Sequence, residues 1–240
     1  MTKIDIFKCQ APELSEAWAA EYKRQGIPSS FRKDPSNALV EFISWLEKQD
    51  GNEKQKAADL GCGLGRNSFY LVSRGFSVTA IDLLQSNADA INEEAKQTKL
   101  PVIAFAQDVS SKWPIASHSL DIAIDVFCYK HITNKEAQKN YRRQLWKALK
   151  PNGFYFISLA SINDGFYGPL LQHSPSPKEK LVIDPYANIA SYLYSLVDLS
   201  NEFGDMFTVI EASEKTSSSP MHGKDYTRKV LNVILQKRLL

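Results

Sequence analysis

At 240 residues with 43% hydrophobic side chains, the chain can build one large α/β core or two small ones, which excludes disordered and fibrous classes. Its 29 Lys and Arg against 27 Asp and Glu leave a formal charge of +2, so the totals carry no footprint of a dedicated nucleic-acid binder and leave only a local basic patch open. Cys9, Cys62 and Cys128 are odd in number and widely spaced, which argues against structural zinc and against a disulfide framework. Residues 1–12 lack the apolar core of a secretory signal, and no stretch approaches the roughly 18 apolar residues of a membrane span. The expectation is a cytoplasmic protein with free thiols.

Helical and strand-like periods alternate along the chain, as in βαβ units around a mainly parallel sheet. Ala38, Leu39, Phe42, Ile43 and Leu46 mark an amphipathic helix within 34–49, opened by Asp34-Pro35. A strand at 56–60 runs into a glycine-rich loop, and Phe69 and Val72 start a helix that Gly75 terminates. A strand at 76–81, a helix at 86–97 and a strand at 101–106 follow. Residues 120–126 (LDIAIDV) read as a central strand covered on both faces. Thr133 to Glu136 fits a capping box for a helix with Ala137, Tyr141, Leu145 and Leu149 on one stripe. Lys150-Pro151-Asn152-Gly153 then turns into a fifth strand at 154–160. The glycines and prolines of 161–188 predict a long loop over the sheet edge. A helix through Ile189, Tyr192, Leu193, Leu196 and Leu199 and strands at 207–212 and 229–235, joined by a polar connection, complete the chain.

The sharpest signal is Asp59-Leu60-Gly61-Cys62-Gly63-Leu64-Gly65, three alternate glycines between a strand and a helix, where backbone approaches a ligand too closely for a Cβ. The spacing lacks the last glycine of G-x-G-x-x-G, which weakens a dinucleotide reading. Asp82 closes the second strand, where a carboxylate accepts two bonds from a ribose diol. Asp108 closes the third, placed to accept from an exocyclic amino group, with the Val109 N–H directed at a ring nitrogen. Taken singly, each acid is more often a helix cap or a solvated loop residue; in register with the glycine loop they jointly favour an adenosine-type cofactor.

In this combination the chain resembles the class I S-adenosylmethionine-dependent methyltransferases over roughly 57–161. The glycine motif, Asp82, Asp108 and Leu149-Lys150-Pro151-Asn152-Gly153 all fall in the family's order. Gly65-Arg66-Asn67-Ser68 followed by 75–82 is similar to the branch holding tellurite-resistance and thiopurine methyltransferases, which act on small molecules. The resemblance implies a Rossmann-like, doubly wound, seven-stranded and mostly parallel sheet with an antiparallel last strand and helices on both faces. It also implies S-adenosyl-L-methionine as cofactor and S-adenosyl-L-homocysteine as product. Asp59, Gly61, Cys62, Gly63 and Gly65 would face the methionine half, Asp82 with Leu83 the ribose, and Asp108 with Val109 the adenine; Asp125 joins the same set.

Methyl transfer from a sulfonium is an in-line displacement that needs mainly alignment and exclusion of water. Tyr129 and His131, after the fourth strand, are candidates for catalysis and substrate contact; His131 serves either as a base or as a structural residue ahead of a helix. Cys128 reads as a packed small hydrophobe and not as a nucleophile. Asp125 with Asn163-Asp164 has the spacing by which some catechol-type O-methyltransferases hold magnesium, but turn chemistry explains these residues better and no metal is expected. Asp164 and Tyr167 of the long loop, with Trp18 and Arg32 near the N-terminus, complete the substrate candidates, the loop reading either as a lid or as a surface excursion. The division expected is an N-terminal helical cap, 1–55, packed on a methyltransferase domain, 56–240, as one domain. The function expected is methylation of a small molecule. Alternatives are an RNA or protein methyltransferase using Lys139, Arg142, Arg143, Lys224, Arg228, Lys229, Lys237 and Arg238, or a catalytically inactive cofactor-binding module. Nothing in the sequence addresses oligomeric state.

Overall fold

A computed structural model describes residues 11–49, 55–174 and 176–238, so Cys9 and Pro175 lie outside the described residues. Helices α1 (Ala11–Arg24) and α2 (Asn37–Leu46) precede five strands that run parallel: β1 (Lys56–Leu60), β2 (Ser77–Asp82), β3 (Val102–Ala106), β4 (Leu120–Val126) and β5 (Leu149–Ala160). The crossovers are α3 (Arg66–Ser73), α4 (Gln85–Thr98) and α5 (Lys135–Ala148). A small hairpin, β6 (Leu181–Ile183) with β7 (Ala190–Tyr192), and helix α6 (Leu196–Phe203) lead to a long hairpin, β8 (Phe207–Met221) and β9 (Lys224–Lys237). The main sheet has the order β3-β2-β1-β4-β5-β9-β8, with β9 antiparallel to β5. The doubly wound sheet with an antiparallel last strand is therefore present as expected.

Alternation along the strands divides the core into two layers. Ile122, Ile124 and Val126 of β4 pack with α2, α3 and α4, whereas Ala123 packs toward Tyr141 and Leu145 of α5 and Leu199 and Phe203 of α6. Phe42 stacks on Phe156 at 4.8 Å and 7°, which ties α2 to the sheet. Truncating such a buried ring costs about 3–5 kcal/mol.

Three local expectations are corrected and a fourth is narrowed. Asn134, not Thr133, caps α5, because its side chain accepts from the Ala137 N–H at 3.0 Å, and Leu149 leaves the helical stripe to begin β5. The helix expected through 189–199 starts only at Leu196: Ser195 and Asp198 form a capping box there, and residues 190–192 pair with β6 instead. The 161–188 segment is an ordered excursion whose Phe166, Tyr167 and Val182 join a third apolar cluster with Ile27 and Met221. The polar connection at 213–228 is strand almost throughout, turning only at His222-Gly223, since Thr-Ser-rich alternation suits an edge strand exposed to water.

Candidate functional site

The glycine loop leaves β1 with Gly61, Gly63 and Gly65 all at positive φ, and the three do different work. A Cβ on Gly61 would stand 2.4 Å from Cβ of Cys128, and one on Gly65 would stand 2.8 Å from Cγ1 of Ile91, so these two serve packing. A Cβ on Gly63 would meet only the phenol oxygen of Tyr22, at 2.5 Å, at the end of a side chain reaching over from α1. Gly63 is thus the glycine that keeps backbone open to a cleft of about 250 Å³.

Asp82 borders this cleft and organises its base. Its Oδ2 accepts from the Gly63 N–H at 2.8 Å, and its Oδ1 accepts from the Leu84 N–H and the Asn87 amide at 3.0 and 2.9 Å. The Leu83 N–H adds to these interactions, so the carboxylate is held firmly at the edge of the cleft. Burial raises the Asp82 carboxyl above its ordinary range. Leu83, Cys62, Asp108 and Val109 also line the cleft. Asp108 fixes its own loop by accepting from the Ser110 N–H at 2.7 Å, while the Val109 N–H has no partner among the described residues.

Other expected cofactor residues sit beneath the wall. Asp59 is buried, accepts from Ser68 Oγ at 2.6 Å and is pushed up to about 7 by burial, so it anchors the start of α3. Asp125 is fully buried and pushed up to about 6 by burial; it accepts from the Cys128 and Tyr129 N–H groups and from the Tyr141 hydroxyl. That carboxylate holds the turn after β4, where Phe127 adopts φ of 69°, a backbone conformation rare for an aromatic residue. Among the described residues, no cluster of three or more His, Cys, Asp and Glu is placed to hold a metal ion.

The two residues singled out after β4 part company. Tyr129 is a core residue off the cleft, its hydroxyl donating to Glu202 at 2.9 Å and accepting from Arg142 at 2.6 Å. His131 lies on the cleft wall, edge-on to Trp18 at 5.1 Å. Its Nδ1 stands 2.9 Å from the Ala190 carbonyl and therefore carries the proton, leaving Nε2 as acceptor. Burial holds this imidazole well below its ordinary pKa, so the ring is neutral. Cys128 is also at the cleft, and burial pushes its thiol up, away from thiolate chemistry.

Trp18, Arg32, Arg66, Phe127 and His131 border both the cleft and a second chamber of about 530 Å³. Tyr167 lines the second chamber, and Asp164 lies buried behind it in an ion pair with Arg228 at 2.8 Å. Leu64, Phe127 and Lys130 are wall residues that sequence reasoning misses. Tyr22 lies in the N-terminal stretch expected to help complete the site, and Arg66 and Asn67 directly follow the glycine motif without a spacing signal of their own. The basic residues considered for a nucleic-acid surface are dispersed: Arg142 pairs with Glu202, Lys139 and Arg143 with Glu136, and Lys229 with Glu214, while Arg228 and Lys237 are buried.

Residues 57–153 match the methyltransferase domain family. A Rickettsia akari ubiquinone biosynthesis O-methyltransferase is 32% identical over 106 residues, covering 44% of this chain and 40% of that protein. A probable S-adenosyl-L-methionine-dependent methyltransferase of Haemophilus influenzae, TehB, is 26% identical over 115 residues, or 48% of this chain and 39% of that protein. The chain thus spans less than half the length of both curated relatives. Among solved structures, the Burkholderia thailandensis 1,6-didemethyltoxoflavin-N1-methyltransferase with bound 1,6-didemethyltoxoflavin and S-adenosylhomocysteine superposes with a TM-score of 0.68 at 19% identity, covering 98% of this chain and 94% of that one. Strand order, glycine loop and domain match agree: residues 57–153 carry a methyltransferase domain, and the chain resembles the class I S-adenosylmethionine-dependent methyltransferases, the TehB-like branch among them.

Proposed function

We propose that the chain transfers a methyl group from S-adenosyl-L-methionine to a small-molecule acceptor by in-line displacement. The supporting observation is continuity: the cleft over Gly63 and Asp82 adjoins a chamber of about 530 Å³ across a shared wall of Trp18, Phe127 and His131. That volume lies within the range of small-ligand sites. Relatives named for O- and N-methylation of small molecules support the same substrate class.

The residues of the cleft fit the cofactor. Gly63 leaves room for it, the Asp82 carboxylate at the cleft edge suits a ribose hydroxyl, and the unpartnered Val109 N–H suits an adenine ring nitrogen. When bound, the cofactor supplies a methyl group on a positively charged sulfur. The chain's own contribution is alignment and dryness: α1 brings Trp18 and Tyr22 over the cleft, and Phe127 is fixed at the junction by its N–H bond to Ser158 O at 2.8 Å. His131 Nε2 accepts a hydrogen bond from an acceptor group that is already acidic, its low basicity making it a poor base for an ordinary alcohol. In this reading residues 1–55 act as a cap on the domain of 56–240.

Titration calorimetry with S-adenosylhomocysteine tests the cofactor assignment, with one saturable site expected and no heat of binding refuting it. A labelled-methyl transfer screen over thiols, selenite and tellurite, phenols, amines and bulk RNA then tests the acceptor class. Labelling confined to RNA would transfer the assignment to a nucleic-acid methyltransferase.

A further inference from the structure

The second chamber contains two buried cations whose charges are unequally answered. Lys130 and Arg228 both line it and are only 1% and 5% exposed. Arg228 Nε donates to Asp164 Oδ2, which also accepts from the Lys229 N–H at 3.0 Å, while Asp164 Oδ1 accepts from the Phe166 and Tyr167 N–H groups. Asp184, the other nearby acid, accepts from the Tyr186 and Ala187 N–H groups and pairs with His222 Nε2. Both carboxylates are thereby committed. Lys130 Nζ has only Ser191 Oγ, at 3.2 Å, and the aromatic faces around it, chiefly Tyr167 at 3.7 Å from the ring centroid. Among the described residues no carboxylate lies within ion-pair distance of it.

Tyr167 holds the two cations together, since the Arg228 guanidinium carbon stands 5.5 Å from the same ring. Like charges gathered in a dry site repel unless a counter-charge joins them. Burial and the neighbouring Arg228 push the Lys130 ammonium down to about 7, the direction of an under-compensated cation. The rest of the lining has the same sense. Arg32, Arg66 and Lys215 bring the basic side chains to five, against Asp34 and Glu41, and Glu41 is within 3.9 Å of Lys215. Ser158 Oγ donates to Asn232 Oδ1 at 2.8 Å, which leaves the Asn232 amide N–H groups as further donors. The walls beside these donors are the rings of Trp18, Phe127 and Tyr167.

We propose that the second chamber selects acceptors carrying a carboxylate on a planar, aromatic body, with Lys130 and Arg228 binding the carboxylate and the rings of Trp18, Phe127 and Tyr167 flanking the body. This assignment rests on the methyl-transfer reading of the adjoining cleft and adds the chemical class of the acceptor. Charge-assisted bonds to a carboxylate satisfy both cations at once, and an uncharged isostere of the same shape leaves Lys130 unanswered.

The test is calorimetry on the chain saturated with S-adenosylhomocysteine, using aromatic acids and their primary amides as matched probes: benzoate with benzamide, and indole-3-carboxylate with indole-3-carboxamide. The acids are expected to bind at least tenfold more tightly than their amides. Lys130→Met should weaken the acids about ten- to hundredfold and leave the amides unchanged. Equal affinities for acid and amide, no binding of either acid, or acid affinity unaltered in Lys130→Met overturns the proposal. S-adenosylhomocysteine affinity separates the two levels: its loss in the wild-type chain refutes the methyl-transfer reading, whereas its retention without acid preference refutes only the chamber assignment. Retained S-adenosylhomocysteine affinity in Lys130→Met also shows that the variant is folded.

Discussion

Replacing Lys130 by Met removes a buried charge while keeping an unbranched side chain of similar length, and its effect on stability depends on pH with a sign the structure fixes. In the unfolded chain Lys130 keeps its proton up to the ordinary value of 10.5, whereas the folded chain releases it near 7 because of burial and Arg228. Between those values the unfolded state binds more protons, so wild-type stability rises with pH across that window. Starting at pH 7, where the folded group is half protonated, the gain by pH 8.5 comes to about 1.5 kcal/mol, at a limiting slope of about 1.4 kcal/mol per unit. Lys130→Met lacks this gain. Urea unfolding of both proteins at pH 7.0, 7.5, 8.0 and 8.5 measures it as a difference curve, in which shared groups such as Asp59, itself near 7, cancel. Parallel stability profiles would show that Lys130 titrates near its ordinary value and is not a desolvated cation.

Gly63→Val places a β-branched side chain at φ of 57° against Tyr22, costing about 1–2 kcal/mol of stability and abolishing S-adenosylhomocysteine binding; wild-type affinity by calorimetry would contradict the cleft assignment. Asp82→Ala is expected to weaken the same ligand by about 1–3 kcal/mol, since it removes both the proposed ribose contact and the brace on the Gly63 N–H. Tyr129→Phe leaves Arg142 and Glu202 paired and should cost only about 1 kcal/mol of unfolding free energy with cofactor affinity intact; a selective loss of turnover would return Tyr129 to the reaction.

What could be read in the residues was what is local. The loop from Gly61 to Gly65 announces itself because glycine at fixed spacing after a buried strand has few other uses, and β4 was legible to its end residues because both its faces are covered. The long hairpin was read short, since β8 beyond Ala212 is largely exposed and lacks the apolar alternation that marks a strand. Asp59 and Asp125 stand at strand ends as expected of ligand-facing acids, yet local donors, Ser68, Tyr141 and backbone N–H groups, turn them inward. Lys130, Tyr167 and Arg228 escaped notice as a group because no motif joins them. They meet only because β9 pairs beside β5 and the 161–194 excursion folds back over that edge.

The tip of the long hairpin gives the molecule a division of labour. Residues 215–219 of β8 form one rim of the chamber, and Arg32 from the segment after α1 reaches across to Ser219 Oγ at 3.1 Å. In the proposed reading the glycine-loop cleft carries the donor, whereas residues 215–219 line the acceptor chamber without reaching that cleft. In the proposed reading the hairpin tip can therefore vary and retune the chamber's rim around Lys130 and Tyr167 while the glycine-loop cleft stays as it is.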